Sequence, residues 1–218
     1  MILSRLREGQ GRRLLDVGAA DGYLAERLSA RGYEVTCLEG DPSLAKVAST
    51  KCFRCVLVDL DGLIPPLSGL PLSGLFDVIV YADILEHLRS PLKTLMLINR
   101  YLRRDGIVIV SIPNVANIWV RLQLLLGNFD YADRGILDRT HLQFFTLKSF
   151  RIFLQEAGLE VFELLSTPVP LPLVVPEQYQ GRIFGLACSM NARLARIWKS
   201  LFGYQFIGVA RRSQARET

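Results

Sequence analysis

The segment from Leu14 to Leu24 constrains the fold of this 218-residue chain more than any other part of it. It reads Leu-Leu-Asp-Val-Gly-Ala-Ala-Asp-Gly-Tyr-Leu, so an apolar run ends in a turn of small residues and a helical pattern follows. Small residues let a ligand approach the backbone closely, and glycine tolerates a positive φ. The spacing is Gly-x-Ala-x-Gly rather than the Gly-x-Gly-x-x-Gly of dinucleotide folds. Asp21, in the turn, would repel a pyrophosphate but tolerate a cationic ligand.

Short apolar runs alternate with helical patterns along most of the chain. Strands are predicted at 14–17, 33–39, 53–58, 76–81, 106–112, 159–165 and 204–211. Helices are predicted at 21–31, 43–49, 91–103, 114–126 and 146–157, with one or two more within 179–202. Residues 60–75 and 167–176 are rich in proline, and we predict that both are irregular. The alternation predicts an α/β fold with a doubly wound, mostly parallel sheet covered on both faces.

We predict that residues 1–218 form a single domain. Within it, 12–112 is the expected ligand-binding half, 113–158 a cap or lid over the acceptor region, and 159–218 the C-terminal strands with an inserted basic helix. The composition, half hydrophobic and 22% charged, is that of a globular protein. The N-terminus lacks the apolar core of a signal peptide, so we expect a cytoplasmic location.

Four cysteines include a lone Cys-x-x-Cys pair, Cys52 and Cys55. A structural zinc site would need a second pair of ligands, and the two histidines of the chain are far away in sequence. We therefore expect buried or half-buried thiols, and no metal site.

Two acidic positions follow the second and third predicted strands. Glu39 ends the second strand, where a carboxylate can accept hydrogen bonds from both hydroxyls of a ribose. Asp59 and Leu60 follow the third strand, where a carboxylate can accept from an adenine amino group while the backbone reads the ring edge. Parallel strands end at a common edge, the usual ligand crevice of open α/β sheets. Asp41 shares the loop with Glu39 and is better explained as a helix cap.

These elements resemble the class I S-adenosylmethionine-dependent methyltransferases, in particular the small bacterial subset related to ubiquinone-pathway methyltransferases. The resemblance covers roughly residues 12–165 and lies in four stretches. They are Asp-Val-Gly-Ala-Ala-Asp-Gly, the terminal Glu39, Val-Asp-Leu-Asp after the third strand, and Phe-Asp-Val-Ile-Val-Tyr-Ala-Asp-Ile-Leu-Glu-His-Leu.

The resemblance implies a Rossmann-like sheet of seven strands whose last strand is antiparallel, and S-adenosyl-L-methionine as the cofactor. It places Asp16, Gly18 and Gly22 around the methionine part of the cofactor, Glu39 on the ribose and Asp59 near the adenine. We count Leu60 and Ala82, at the end of the fourth strand, as further cofactor-binding positions. Ala20 stands where many members have glycine, and we expect only a slight backbone adjustment there.

Two histidines are candidates for the catalytic base. A base helps methyl transfer when the acceptor is a hydroxyl, because losing its proton makes the oxygen nucleophilic. His87 follows the fourth strand, and His141 lies in a segment, Asp138 to Thr146, that resembles the Asp-Arg-Thr-His-Leu-x-Phe-Phe-Thr signature of methyltransferases associated with cell-surface sugar or polyketide-like pathways. We interpret this segment as a lid. The alternatives are that His87 caps a helix and that His141 orders its loop through Asp138.

The expected acceptor is a small molecule, or a cell-surface sugar or lipid-linked intermediate, methylated on oxygen. Aromatic and basic residues that would shape its pocket, or pack a cap helix, are Trp119, Arg121, Phe129, Tyr131 and Arg134. We expect no nucleic-acid acceptor, because no base-flipping motif or basic strand with interleaved aromatics is present.

The C-terminal part of the chain is basic. Residues 178–216 contain no acidic residue, whereas seven are arginine or lysine: Arg182, Arg193, Arg196, Lys199, Arg211, Arg212 and Arg216. Within 183–202 these cations alternate with apolar residues in a helical pattern. Such a helix can lie on an anionic membrane as a peripheral contact, cover the acceptor pocket, or form the face of a homodimer.

Two other functions fit parts of the pattern. A nicotinamide-dependent oxidoreductase on a similar sheet would have Gly-x-Gly-x-x-Gly and the Tyr-x-x-x-Lys pair of short-chain reductases, and both are missing from the chain. A non-catalytic scaffold would keep the donor pocket without turnover, or lose it. The acidic and glycine positions of the pocket are present.

Overall fold

The computed structural model describes residues 2–62 and 70–213, and in them a seven-stranded sheet forms the centre of the molecule. The strands are β1 (Arg13–Val17), β2 (Glu34–Glu39), β3 (Arg54–Leu57), β4 (Phe76–Ala82), β5 (Leu102–Pro113), β6 (Leu159–Thr167) and β7 (Gln205–Arg212). Their order across the sheet is β3-β2-β1-β4-β5-β7-β6. The strands β1 to β5 are parallel to one another, and β7 is antiparallel to both β5 and β6. The predicted fold class is confirmed.

Eight helices accompany the strands in the described residues. They are α1 (Tyr23–Ser29), α2 (Pro42–Ala48), α3 (Pro91–Ile98), α4 (Ile118–Leu125), α5 (Leu147–Glu156), α6 (Leu171–Val174), α7 (Arg182–Ile197) and α8 (Lys199–Phe202). Short 3-10 turns lie at Ile2–Arg5, Leu85–His87, Asn99–Tyr101 and Glu177–Tyr179.

The apolar runs of the strands are buried on both faces of the sheet. Neighbouring residues of one strand point to opposite faces, so Leu14 and Leu15 are both fully buried but belong to different hydrophobic clusters. The cluster around Leu15 contains Phe150 of α5, and the cluster around Leu14 contains Leu28 of α1. Helices therefore cover both faces, as a mostly parallel sheet requires.

Two predicted caps are confirmed. Asp41 Oδ1 accepts hydrogen bonds from the backbone N–H groups of Ser43 and Leu44 at 2.7 and 2.9 Å. Thr146 Oγ1 accepts from the N–H of Ser149, whose hydroxyl in turn accepts from the N–H of Thr146. These bonds satisfy N–H groups that the first turn of a helix leaves unpaired.

Some predicted boundaries are wrong. The helix expected at 91–103 ends at Ile98, because Leu102 already pairs with Phe76 as part of β5. The helix expected from 114 begins at Ile118, since the Asn117 side chain accepts from the N–H of Trp119. The segment 167–176, expected to be irregular, contains α6, whose proline lies in the first turn, where no N–H donor is needed. Within the loop predicted at 60–75, residues 63–69 lie outside the described residues.

Candidate active site

The turn after β1 has the backbone shape that its small residues allow. Gly18, Ala20 and Gly22 all have positive φ, at 73°, 48° and 77°. Gly18 and Ala19 donate their N–H groups to the carbonyl of Leu38 in β2, at 2.8 and 3.1 Å. A Cβ at Gly18 would lie 2.4 Å from Cγ1 of Ile84, so the side chain of Ile84 covers the turn directly. Glycine at this position is therefore a steric requirement as well as a conformational one.

Ala20 stands where many members of the family have glycine, and we predicted only a slight backbone adjustment there. Its φ of 48° lies in the left-handed region, where Cβ crowds the backbone. The alanine thus keeps the backbone shape of a glycine at an energetic cost, which a single residue can bear inside a well-supported turn.

Glu39 joins this turn to the end of β2. Its Oε2 accepts from the N–H of Ala20 at 2.7 Å, and its Oε1 accepts from the N–H groups of Gly40 and Asp41, both at 2.9 Å. A carboxylate has about four acceptor sites, so one remains for a hydroxyl of a ligand. Besides any role in binding, Glu39 holds the ligand-facing loops together.

Asp16, near the end of β1, is buried, with 1% of its surface exposed. Its Oδ2 has no hydrogen-bond partner among the described residues. Burial, together with the negative charge of Glu39, raises the pKa of Asp16 to about 7. A buried and unpaired carboxylate is costly, so this position favours a cationic or hydrogen-bond-donating ligand.

Other predicted positions lie at the same edge of the sheet. Asp59 follows β3, is exposed, and accepts from the N–H of Asp61 at 3.0 Å. Leu60 is buried, and its carbonyl accepts from the Thr94 hydroxyl at 3.2 Å. Ala82 is half-buried at the end of β4. Asp21, however, is paired with Lys51 at 3.2 Å, so its charge is partly neutralised within the protein.

The two histidines, distant in sequence, meet at this edge. Their ring centroids are 4.8 Å apart in an edge-to-face arrangement. The N–H groups of Leu142 and Gln143 donate to the carbonyl of Glu86 at 2.8 and 3.0 Å, which joins the predicted lid to the segment after β4.

Hydrogen bonds place a proton on Nδ1 of both imidazoles. His141 Nδ1 lies 3.0 Å from the carbonyl oxygen of Ile136, which can only accept, so Nδ1 has the proton. Thr140 donates its hydroxyl proton to Asp138 at 2.6 Å, so the contact of 3.0 Å between Thr140 Oγ1 and His87 Nδ1 requires a proton on Nδ1 as well. In the neutral form of each ring, Nε2 is therefore an acceptor. Asp138 therefore orients the His87 ring through the Thr140 hydroxyl, whereas the Nδ1 of His141 is held by the carbonyl of Ile136.

Residues 2–164 match the family described as methyltransferase domain. The chain belongs to this methyltransferase family. Curated relatives named ubiquinone biosynthesis O-methyltransferase include proteins from Pseudomonas aeruginosa, at 27% identity, and Aromatoleum aromaticum, at 28%. Each alignment spans 158 residues, which is 71% of this chain and 67% of the relative. A crystal structure of an S-adenosylmethionine-dependent methyltransferase from Archaeoglobus fulgidus has the same fold, with a TM-score of 0.64 at 18% identity over 97% of this chain and 93% of that one.

The protein is thus an S-adenosylmethionine-dependent methyltransferase, and S-adenosylmethionine is its cofactor. The oxidoreductase alternative is wrong. The site fits the cofactor, which contains a sulfonium and an ammonium group: the buried Asp16 Oδ2 has no partner among the described residues, and it lies beside the turn of small residues that begins at Gly18. The roles of individual residues toward the cofactor remain predictions.

The candidate site contains two carboxylates that we did not predict as functional. Asp83 has a φ of 52° and accepts from Ser111 Oγ at 2.8 Å and from Gln205 Nε2 at 2.7 Å. Glu86 is 1% exposed, and neither of its oxygens has a partner among the described residues. Burial, and secondly the charge of Asp83, raises the pKa of Glu86 to about 8. The signal in the sequence was the density of polar residues in Asp83-x-x-Glu86-His87.

Glu86, His87 and His141 form the cluster that could accept a proton or a cation. Each offers one ligand atom, and these atoms lie within 4.8 Å of one another. One carboxylate and two imidazoles suit a divalent transition metal. The expectation of no metal site was based on the cysteines and did not consider this set.

The cysteines lie as predicted. Cys37 is buried, and the other three thiols are half-buried and free.

Aromatic residues of the predicted lid pack beside His141. Phe144 lies 6.3 Å from the His141 ring, 6.0 Å from Phe129 and 6.4 Å from Tyr131, all between centroids. Trp119, in contrast, is 64% exposed, so it packs no cap helix. Phe129 and Tyr131 thus pack against Phe144 of the predicted lid, and Phe144 forms an apolar wall beside the His141 ring.

Proposed function

We propose that this methyltransferase methylates a hydroxyl oxygen of a small molecule or of a lipid-linked or cell-surface sugar intermediate. The observation that supports the proposal most is the pair of imidazoles with acceptor Nε2 atoms at the carboxyl edge of the sheet. The name of the relatives, O-methyltransferase, agrees with an oxygen acceptor.

His141 is the proposed base. The cofactor, when bound, supplies a methyl group activated on a sulfonium sulfur, so the protein contributes mainly position and proton transfer. His141 Nε2 takes the hydroxyl proton and becomes an imidazolium, while Nδ1–H stays on the carbonyl of Ile136 and keeps the ring in place. Phe144 shields the ring from water on one side.

His87 is positioned to support this proton transfer. Burial and the neighbouring His141 lower the pKa of His87, so it is neutral at neutral pH and does not repel a proton on His141. Its Nδ1–H is held by Thr140, which in turn is held by Asp138. Either histidine can therefore serve as acceptor, and His141 is preferred because a buried hydrogen bond from its Nδ1 to the carbonyl of Ile136 fixes the ring.

Radiolabelled donor and fractionated bacterial extract test the proposal. We expect label in the polar small-molecule fraction or in the lipid-extractable sugar fraction, and an O-methyl ether in the product by mass spectrometry and nuclear magnetic resonance. Label confined to nucleic acid or protein, or an N-methyl product, would contradict it. Donor binding without transfer to any fraction would favour the scaffold alternative.

A further inference from the structure

We propose that the outer face of α7 docks this protein on the surface of an anionic phospholipid membrane. The proposal rests on α7 and its neighbours, and it holds whatever the acceptor of the methyl group is.

One face of α7 is anchored to the protein. Ala195 is buried, and its carbonyl accepts from the hydroxyl of Ser166 in β6 at 2.6 Å. Asn191 Nδ2 donates to the carbonyl of Val169 at 2.8 Å. The helix is thus held on the sheet in a defined orientation, and the opposite face is left for a partner.

That opposite face is apolar and exposed. Ile183, Leu186, Met190 and Ile197 are 87%, 73%, 56% and 73% exposed. Their spacings of three, four and seven residues place them on one stripe of the helix. Trp198 follows at the end of the stripe, 58% exposed. Contiguous apolar surface of this kind marks an interaction site.

Arginines border the stripe. Arg182, Arg193 and Arg196 are exposed and form no ion pair among residues 2–62 and 70–213. Residues 178–216 contain no acid that could neutralise them. Lys199 differs, because its Nζ donates to the carbonyl of Leu164. An apolar stripe beside unpaired arginines is complementary to acyl chains beside lipid phosphates.

The charge argues against a second copy as the occupant. A twofold interface would bring the same acid-free, arginine-bearing surface of two chains together, and like charges facing each other are unfavourable. The helix has 16 residues, about 24 Å of length, and no helix in the described ranges is long and apolar enough to cross a bilayer. A helix of this length fits docking parallel to the membrane surface.

The docked orientation would bring the active site to the lipid. β6 and β5 are both antiparallel to β7, so β6 ends at the same edge of the sheet as β5, β4 and β1. The segment with α6 and α7 follows the end of β6 and returns to β7 at Gln205, whose side chain donates to Asp83 at 2.7 Å. α6 adds Leu173, which is 86% exposed. The inserted helices therefore belong to the catalytic edge of the sheet.

Vesicle flotation with the full chain tests the proposal. The probes are vesicles of phosphatidylcholine alone and of phosphatidylcholine mixed equally with phosphatidylglycerol. We expect flotation with the mixed vesicles and at least about tenfold weaker binding to the neutral ones, with sensitivity to salt. L186Q/I197Q should lose about tenfold or more of the binding, and R182Q/R193Q/R196Q should lose the preference for phosphatidylglycerol.

Matched variants control the test. F53Q removes an exposed aromatic residue at the opposite edge of the sheet, and R54Q/R100Q/R104Q removes three exposed arginines elsewhere, so both should float like wild type. Unchanged circular dichroism and donor affinity show that a variant is folded. No flotation of wild type, equal binding to both vesicles, or unaffected α7 variants would overturn the proposal. So would a wild-type dimer, in analytical ultracentrifugation, that L186Q/I197Q converts to monomer.

Discussion

Ala20 donates its backbone N–H to Oε2 of Glu39 across 2.7 Å, so the turn after β1 and the end of β2 form one structural unit. The same carboxylate holds the N–H groups of Gly40 and Asp41. Removing this carboxylate should therefore disturb two loops of the predicted cofactor site at once.

Glu39→Gln should weaken binding of S-adenosylmethionine or its demethylated product by roughly 10- to 100-fold. The amide keeps the shape of the side chain but replaces one acceptor oxygen with a donor, which costs on the order of 1.4–2.8 kcal/mol in binding. Isothermal titration calorimetry measures the change. Asp41→Asn is the matched control: asparagine also caps helices, so the affinity should stay within about twofold of wild type. Equal losses in both variants would contradict the assigned role of Glu39.

Ala20→Gly should stabilise the protein by about 0.5–1 kcal/mol, because glycine removes the cost of the left-handed conformation at φ 48°. Urea denaturation gives the free energy of unfolding. Ala19→Gly, at the adjacent residue, should destabilise by a similar amount, since Ala19 is buried and lacks a positive φ. A destabilised Ala20→Gly variant would show that the turn is not strained.

His141→Asn should lower kcat by roughly 10²- to 10³-fold at unchanged donor affinity. The asparagine amide can still donate to the carbonyl of Ile136, but nothing remains at the position of Nε2 to accept a proton. Full activity would remove His141 from the mechanism.

A chelator distinguishes proton transfer by the histidines from metal binding by the cluster of Glu86, His87 and His141. Wild-type activity should persist after dialysis against EDTA, because the methyl of a sulfonium needs no Lewis acid. Activity lost with EDTA and restored by Zn²⁺ or Mn²⁺ would instead identify Glu86, His87 and His141 as metal ligands.

Stability without ligand should fall as the pH rises. The pKa of Glu86 rises from 4.5 in the unfolded chain to about 8 in the folded protein, so the folded state binds the extra proton between these values. The free energy of unfolding is therefore highest below pH 4.5 for this group and declines toward pH 8. The pKa of Asp16 rises from 3.8 to about 7 on folding, so Asp16 also lowers the free energy of unfolding as the pH rises through this range.

Glu86→Gln should make this pH dependence shallower. Thermal unfolding of wild type and variant at pH 5 and pH 8 measures the difference, which we expect to be about 2–6 °C in Tm. Glu26→Gln changes an exposed glutamate of α1 and should follow wild type. Identical slopes for Glu86→Gln and wild type would show that Glu86 is not buried as a neutral acid.

The sequence by itself determined the sheet and the edge of the sheet at which the predicted cofactor-binding residues lie. Continuous apolar runs such as Val78 to Tyr81 cannot alternate between core and solvent, so they predict strands buried on both faces. Asp16, Gly18 and Glu39 lie next to strand ends, and parallel strands end at one edge. Local pattern and strand direction were sufficient to place them together.

Only the tertiary structure decided how distant groups meet. The contact between His87 and His141 depends on the path of the lid across the edge, which backbone bonds from Leu142 and Gln143 to Glu86 establish. Helical periodicity in α7 predicted a basic amphipathic helix but not which of its faces the sheet would cover. Burial of Ala195 against β6 settled that question, because a sheet edge can cover one face of a helix and leaves the other to solvent or a partner.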